Sequence, residues 1–233
     1  MEHPNLIAWC MDSLRWDIYN EAHIPNFHGF TKTRKVYSRA GITPPSLYGT
    51  FMNLSWYESN GAVLVPWMKR WVWVPREFSE AGYYTVFITA NPMLRLYEKT
   101  FSRNFDEYIM LKGCTFHANA IVDKVIKVYE KIDKPKFIFL LFMETHQPYP
   151  YRKGLGVDYI NAKHRPISRQ RLAIEALDPQ FERMTNAVKG SNTDIVVFSD
   201  HGDLDLEREK HQGHGPGKFH EKLFEIPYGR KTI

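Results

Sequence analysis

Cysteine is scarce. Two in 233 residues, Cys10 and Cys114, exclude a disulfide framework, and neither has a second cysteine at metal-ligand spacing. Cys10 lies in an apolar run and reads as a small buried hydrophobe. Long apolar stretches are missing too, and nothing approaches the ~20 residues of a membrane-crossing helix. The first apolar run, Leu6 to Met11, is short, lacks a basic flank and leads straight into charged residues. No export leader is therefore expected, and the expected location is cytoplasmic. There is no internal repeat and no low-complexity tract. Nor is there a basic run of the kind that marks a nucleic-acid tail: Lys32 to Arg39 and His164 to Arg171 are diluted by other residues and read as solvated faces. With 31 Lys+Arg against 26 Asp+Glu the net charge is +5, an excess that suits a small anionic substrate without calling for nucleic acid.

What is present is a globular composition, 43% hydrophobic and 15% aromatic. The length fits one domain over residues 1–233 and leaves a homo-oligomer open. Short apolar runs at Asn5–Met11, Thr85–Ala90, Lys136–Met143 and Thr193–Ser199 predict buried parallel strands. Between them, Pro66–Gly82, Phe116–Ile132 and Arg169–Lys189 have helical character, with Asp178-Pro179 a potential break in the third. Strand alternating with helix predicts an α/β fold, a mostly parallel central sheet flanked by helices on both faces. Residues 147–166, with several Pro, Gly and basic positions, read as a surface excursion, a lid or a substrate loop.

In such folds ligands bind beyond the carboxyl ends of the strands. Three predicted strands end there in acids or imidazoles: Met11-Asp12-Ser13, Glu144-Thr145-His146 and Ser199-Asp200-His201-Gly202. Asp12, Asp200 and His201 would make a mixed oxygen and nitrogen site for a divalent cation, although Asp200 would equally cap a following helix. The loop from Lys210 to His220 carries His211, His214, His220 and three glycines, and is able to approach an anionic group closely. Thr43-Pro44-Pro45-Ser46 would open a helix at Pro45 or Ser46 and run on through Leu47–Leu54. A hydroxyl there is either a simple cap or a group held in positive potential beside free N–H donors, where phosphate is favoured.

Taken in order, these segments resemble a known family. Asn5-Leu6-Ile7-Ala8-Trp9-Cys10-Met11-Asp12-Ser13-Leu14-Arg15-Trp16-Asp17 is similar to the opening of sulfatase-like proteins of the alkaline-phosphatase superfamily. Ile24-Pro25-Asn26-Phe27 and the nucleophile segment Ile42 to Phe51 follow. Next come Ala81 to Thr85 with Asn91, and then Asn104-Phe105-Asp106-Glu107. Thr145 to Tyr149, Phe198 to Asp203, Gly213-His214-Gly215 and Phe219-His220-Glu221 with Ile226-Pro227 complete the series. The matches span nearly the whole chain, from about residue 5 to 228.

The resemblance implies an alkaline-phosphatase-like core in which Asp12, Asp200 and His201 ligate one divalent metal ion, whether Mn, Mg, Ca or Zn. Thr43 would be both ligand and nucleophile. His146 and His214 would hold the transferred group or protonate the leaving oxygen. Lys218, Asn91 and Arg15 would face the substrate, Arg15 having Asp17 as an alternative partner. The chain departs from sulfatases at Ser13, where they have a second Asp, at Thr43, where they have an oxidisable Cys or Ser, and at Leu47, where they have Arg. Phe142 stands where two-metal relatives carry a ligand, so one metal is expected. The sequence also stops at Ile233, where relatives continue into a smaller C-terminal subdomain, so most of that subdomain is expected to be missing. The expected function is phosphate ester hydrolysis or phosphoryl transfer through a covalent phosphothreonine on Thr43. Sulfate ester hydrolysis and a non-catalytic anion-binding module are the alternatives.

Overall fold

The computed structural model describes residues 4–53, 73–112, 117–147, 149, 151–152, 156–157, 167–215 and 217–233. Among these, the chain runs β1 (Asn5–Met11), α1 (Trp16–Glu21), α2 (Pro25–Phe30), β2 (Arg34–Tyr37), α3 (Thr43–Phe51), α4 (Val74–Glu80) and β3 (Tyr84–Thr89). A 3-10 turn over Pro92–Tyr97 leads to α5 (Glu98–Asn104), β4 (Glu107–Met110), α6 (Ala118–Lys131) and β5 (Lys136–Phe142). A short hairpin, β6 (Tyr151–Arg152) and β7 (Gly156–Val157), precedes α7 (Ser168–Ala187), β8 (Thr193–Ser199), α8 (Leu206–Glu209) and β9 (Glu225–Thr232).

Among the described residues the main sheet has seven strands in the order β2-β9-β8-β1-β5-β3-β4. Only β9 runs against the others, antiparallel to both β8 and β2. The centre is parallel, and β1 sits between β5 and β8 with Met11 opposite both Phe142 and Ser199. The three strands therefore end level. Whatever follows Met11, Phe142 and Ser199 emerges on one edge, side by side.

Because the central strands are buried on both faces, they read as continuous apolar runs rather than as alternation. Odd residues of β1 (Ile7, Trp9, Met11) join Ile138, Leu140, Ile195 and Val197 under α1, α2, α6 and α7. Ala8 and Cys10, with Phe87, Phe139 and Leu141, face α3 and α5 through Leu47, Phe51 and Phe101. The aromatic content is spent in these two layers. Trp9 stacks on Phe142 at 4.0 Å and Phe27 on Phe181 at 4.1 Å, while Phe51 meets Phe139 edge-on at 4.6 Å.

Two expectations change, and others fall partly outside the described residues. Helix α7 runs unbroken through Asp178-Pro179, and the Asp178 side chain turns away to accept the N–H groups of Asn26 (3.2 Å) and Phe27 (3.0 Å) at the start of α2. Helix α3 begins at Thr43 itself. Of the helix expected over Pro66–Gly82, α4 is the described part; positions 54–72 lie outside the described residues, as do Cys114 and most of the excursion expected over 147–166.

Candidate metal centre and active site

Each central strand delivers one polar segment. β1 passes into Asp12 and Ser13, where Ser13 adopts the left-handed region at φ 65° and so reverses the chain. Its N–H then reaches Asp200 Oδ1 at 3.0 Å and its hydroxyl reaches Asp12 Oδ1 at 2.8 Å. β8 passes into Asp200, His201 and Gly202. A Cβ on Gly202 would stand 1.9 Å from the carbonyl oxygen of Lys222, and the Gly202 N–H donates to Leu223 O at 2.8 Å. Only glycine allows that approach.

Thr43, at the head of α3, brings its Oγ1 to 3.3 and 3.4 Å from the two oxygens of Asp12 and 3.1 Å from His201 Nε2. Pro44 and Pro45 fill the next two helical positions and carry no N–H, and the Ser46 N–H is already given to Ile42 O at 3.1 Å. Pro44, Pro45 and Ser46 therefore supply none of the free N–H donors expected at this helix start.

Asp12, Asp200, His201 and Thr43 are thus brought together, and the first three offer ligand atoms within 4.8 Å of one another. All are buried. The His201 Nδ1 lies 2.7 Å from Gly202 O, a contact that places its proton there and turns the Nε2 lone pair toward the carboxylates. Nε2 is 3.8 Å from Asp12 Oδ1 and 3.5 Å from Asp200 Oδ2. Among the described residues, Asp200 Oδ2 has no hydrogen-bond partner. An unpartnered buried carboxylate oxygen beside the His201 Nε2 lone pair is what a divalent cation would answer, and the donor set fits one. Without it, burial and then Asp200 push the Asp12 carboxyl up, burial pushes Asp200 up, and burial followed by His214 pulls His201 down to about 3.

A further layer holds these groups in place. Asn91 donates to Asp12 Oδ2 at 2.9 Å, and its Oδ1 accepts the Met93 N–H. Thr145 Oγ1 donates to Asp12 O at 2.7 Å, and buried Gln170 donates to both Ser13 O and Thr145 O. Sequence reasoning missed Gln170, Tyr149 and Asp203. The last two lie inside the segments Thr145 to Tyr149 and Phe198 to Asp203 but carry no feature in the sequence that singles them out.

The imidazoles of His146 and His214 are 5.0 Å apart, and that of His214 is 4.4 Å from His201. His214 Nδ1 lies 3.2 Å from Asp203 Oδ1. Burial alone would lower the His214 pKa, but the Asp203 carboxylate raises it; burial would likewise raise Asp203, but the hydrogen bond from His214 holds it low. Lys218 turns its ammonium onto Gln212 O (2.6 Å) and Gly213 O (3.3 Å), closing the His214 loop on itself. Arg15 is buried against Asp17 (2.6 Å) and Glu209 (3.0 Å), taking the alternative partner that its sequence context offered.

A family model of the sulfatases matches residues 4–228. No curated protein matches the sequence. In fold, the chain is similar to the C-terminal periplasmic domain of EptC from Escherichia coli, with a TM-score of 0.77 at 17% identity, over 100% of this chain and 73% of that one. The zinc complex of that domain gives 0.74 at 18%, with the same coverage. The corresponding domain of phosphoethanolamine transferase EptC from Campylobacter jejuni gives 0.72 at 12%, over 99% and 80%. Phosphonate monoester hydrolase of Agrobacterium radiobacter gives 0.69 at 14%, over 98% and 68%. These neighbours overturn the cytoplasmic expectation: three of the four are structures of periplasmic domains, so this fold is at home outside the cytoplasm. Among the described residues no helix is long and apolar enough to cross a membrane.

Proposed function

The chain belongs to the sulfatase family, and from that premise we propose that it is a metal-dependent phosphoryl-transfer enzyme working through a covalent phosphothreonine at Thr43. The observation that carries this proposal is the Thr43 hydroxyl, 3.1 Å from His201 Nε2 and 3.3 Å from Asp12. A threonine cannot yield the aldehyde that sulfatases make from Cys or Ser, whereas an ordinary hydroxyl suffices for attack on phosphorus.

Asp12, Asp200, His201 and Thr43 would hold one divalent cation. When bound, the cation supplies positive charge that favours the Thr43 alkoxide and the developing phosphoryl charge. Asp12, 3.3 Å from the Thr43 hydroxyl, is placed to receive its proton. Thr43 Oγ1 attacks phosphorus in line, the oxygen–phosphorus bond forms, and the bond to the departing alcohol breaks. His214, held by Asp203, gives its proton to that departing oxygen, with His146 beside it. Water or a second alcohol then takes the phosphoryl group from Thr43. The transferase and hydrolase names of the structural neighbours fit these two outcomes, and their periplasmic domains suit an extracytoplasmic location.

Turnover of bis-p-nitrophenyl phosphate with added Mn²⁺ or Zn²⁺ tests the proposal. Thr43→Ala should abolish it while leaving metal binding measurable; full activity in that variant would sink the idea. Hydrolysis of aryl sulfates would favour sulfate chemistry instead, whereas a phosphoryl group trapped on Thr43 and seen by mass spectrometry would support the proposal.

A further inference from the structure

Asp203 has no part in the ligand set, yet it is fully buried and uses both carboxylate oxygens. Oδ1 accepts the N–H of Leu204 at 3.0 Å and faces His214 Nδ1 at 3.2 Å, and Oδ2 accepts the hydroxyl of Tyr149 at 2.7 Å. Its main chain is fixed as well. The Asp203 carbonyl accepts Arg15 Nη1 at 3.4 Å, and the preceding Gly202 is pressed against Lys222.

Tyr149 is equally committed. It is fully buried, and its φ of 50° is unusual for a residue with a Cβ. Backbone in that region costs about 1 kcal/mol or more and persists where the surroundings impose it. Its N–H donates to His146 O at 3.1 Å and so closes the turn that carries His146. One residue thus fastens the turn of one imidazole with its main chain and the partner of the other with its side chain.

We infer that Tyr149 and Asp203 are positioning residues for His214, fixing its Nδ1 proton toward Asp203 so that Nε2 is directed away from Asp203. The inference rests on the phosphoryl-transfer proposal in giving that nitrogen a leaving oxygen to serve. The geometry behind it stands apart from that proposal. A neutral imidazole whose Nδ1–H meets a carboxylate presents Nε2 as an acceptor, and a protonated one presents a second N–H there. The two ring nitrogens point in widely different directions, so locking one orients the other. Tyr149 keeps the Asp203 carboxylate from rotating, because its hydroxyl occupies the oxygen that His214 does not use.

A purely structural Tyr–Asp contact would affect all substrates alike, and a positioned proton donor would not. Aryl methyl phosphodiesters, with leaving phenols from p-nitrophenol to p-methoxyphenol, separate the two. A good leaving group needs little protonation and a poor one needs much. Tyr149→Phe and Asp203→Leu should lower kcat for the p-methoxyphenyl ester by about 10-fold and 100-fold, the range seen when a supporting partner is lost. The p-nitrophenyl ester should be the least affected, and metal stoichiometry should stay the same. Nitrogen-15 NMR of the metal-free protein should show His214 protonated at Nδ1 in the parent and losing that preference in Asp203→Leu.

Equal loss across the ester series, or an unchanged His214 tautomer, would overturn the inference. If Asp203→Leu does not fold, Tyr149→Phe gives the same two readouts. A parent protein that turns over none of the esters would count against the phosphoryl-transfer proposal, while the NMR measurement would still decide the geometry.

Discussion

The Thr43 hydroxyl and the His201 Nε2 stand 3.1 Å apart in a buried space bounded by the carboxylates of Asp12 and Asp200. Without a cation that space is costly, because burial raises both carboxyls and, among the described residues, Asp200 Oδ2 is left unpaired. Asp200→Asn keeps an acceptor for the Ser13 and His201 N–H groups and removes one charge. In EDTA it should therefore be about 1–2 kcal/mol more stable than the parent, by relief of an uncompensated buried charge. Added Zn²⁺ or Mn²⁺ should raise the melting temperature of the parent and not of the variant. Equal metal-induced shifts in both would remove Asp200 from the ligand set.

Gly202→Ala tests how tightly the ligand strand is docked. An added Cβ would meet the Lys222 carbonyl at 1.9 Å, and the obstacle is backbone rather than a movable side chain. A cost of about 3 kcal/mol is expected from overpacking. Displacement of His201 next door should weaken metal binding as well. Urea unfolding and a metal titration of the same sample would measure both, and a variant as stable as the parent would contradict the close approach.

Glu144 gives the protein a pH dependence of its own. It is fully buried, with one oxygen accepting the Ala118 N–H at 2.7 Å and the other without a hydrogen-bond partner among the described residues, and burial raises its pKa from 4.5 to about 7. A group raised on folding stabilises the native state fully below its unfolded pKa, and that contribution is lost as pH rises through the folded one. Between pH 4.5 and 7 the loss amounts to about 3 kcal/mol. Glu144→Gln cannot ionise, so its stability should decline less across this window. Parallel unfolding curves for the two proteins at pH 5, 6, 7 and 8 would rule this out.

Asp178 works as a cap supplied from a distance. Its carboxylate receives N–H groups at the start of α2 from the middle of α7, and it also holds the Asn26 side chain at 2.8 Å. Asp178→Ala should cost about 2 kcal/mol, the upper range for a lost cap. The thermal midpoint measures it, and turnover of the remaining folded protein should be unaffected. A variant with an unchanged midpoint would show that α2 does not depend on this contact.

The four central strands were legible because burial on both faces leaves a long apolar signal. Asn5–Met11 and Thr193–Ser199 have the same bounds in sequence and structure, and β3 and β5 differ from expectation by one residue at their ends. β2 and β9 were not legible. β2 is a short edge strand carrying Arg34 and Lys35, and β9 contains Pro227 and Gly229. Pro227 is tolerated because it falls just beyond Tyr228, the last residue of β9 paired with β8. At the site, strand ends pointed to Asp12, Asp200 and His201 because chemistry there is set by position in the fold. Asn91, Arg15 and Lys218 carried charge or polarity that suited a substrate, yet their side chains are engaged by Asp12, by Asp17 and Glu209, and by loop carbonyls. The Tyr149 hydrogen bond to Asp203 spans 54 positions and leaves no periodic trace.

The level ends of β1, β5 and β8 have a consequence for how such a protein can diverge. Hydrogen-bonded neighbours stay about 4.8 Å apart whatever sequence connects them. The separation of Asp12 from Asp200 is thus inherited from the sheet and is insulated from the loops. Insertions between strands can remodel the approach to the centre, and core residues can be exchanged many times over, without retuning the distances at the centre itself. A fold retained at 12% identity, as in the Campylobacter jejuni neighbour, is what such insulation permits.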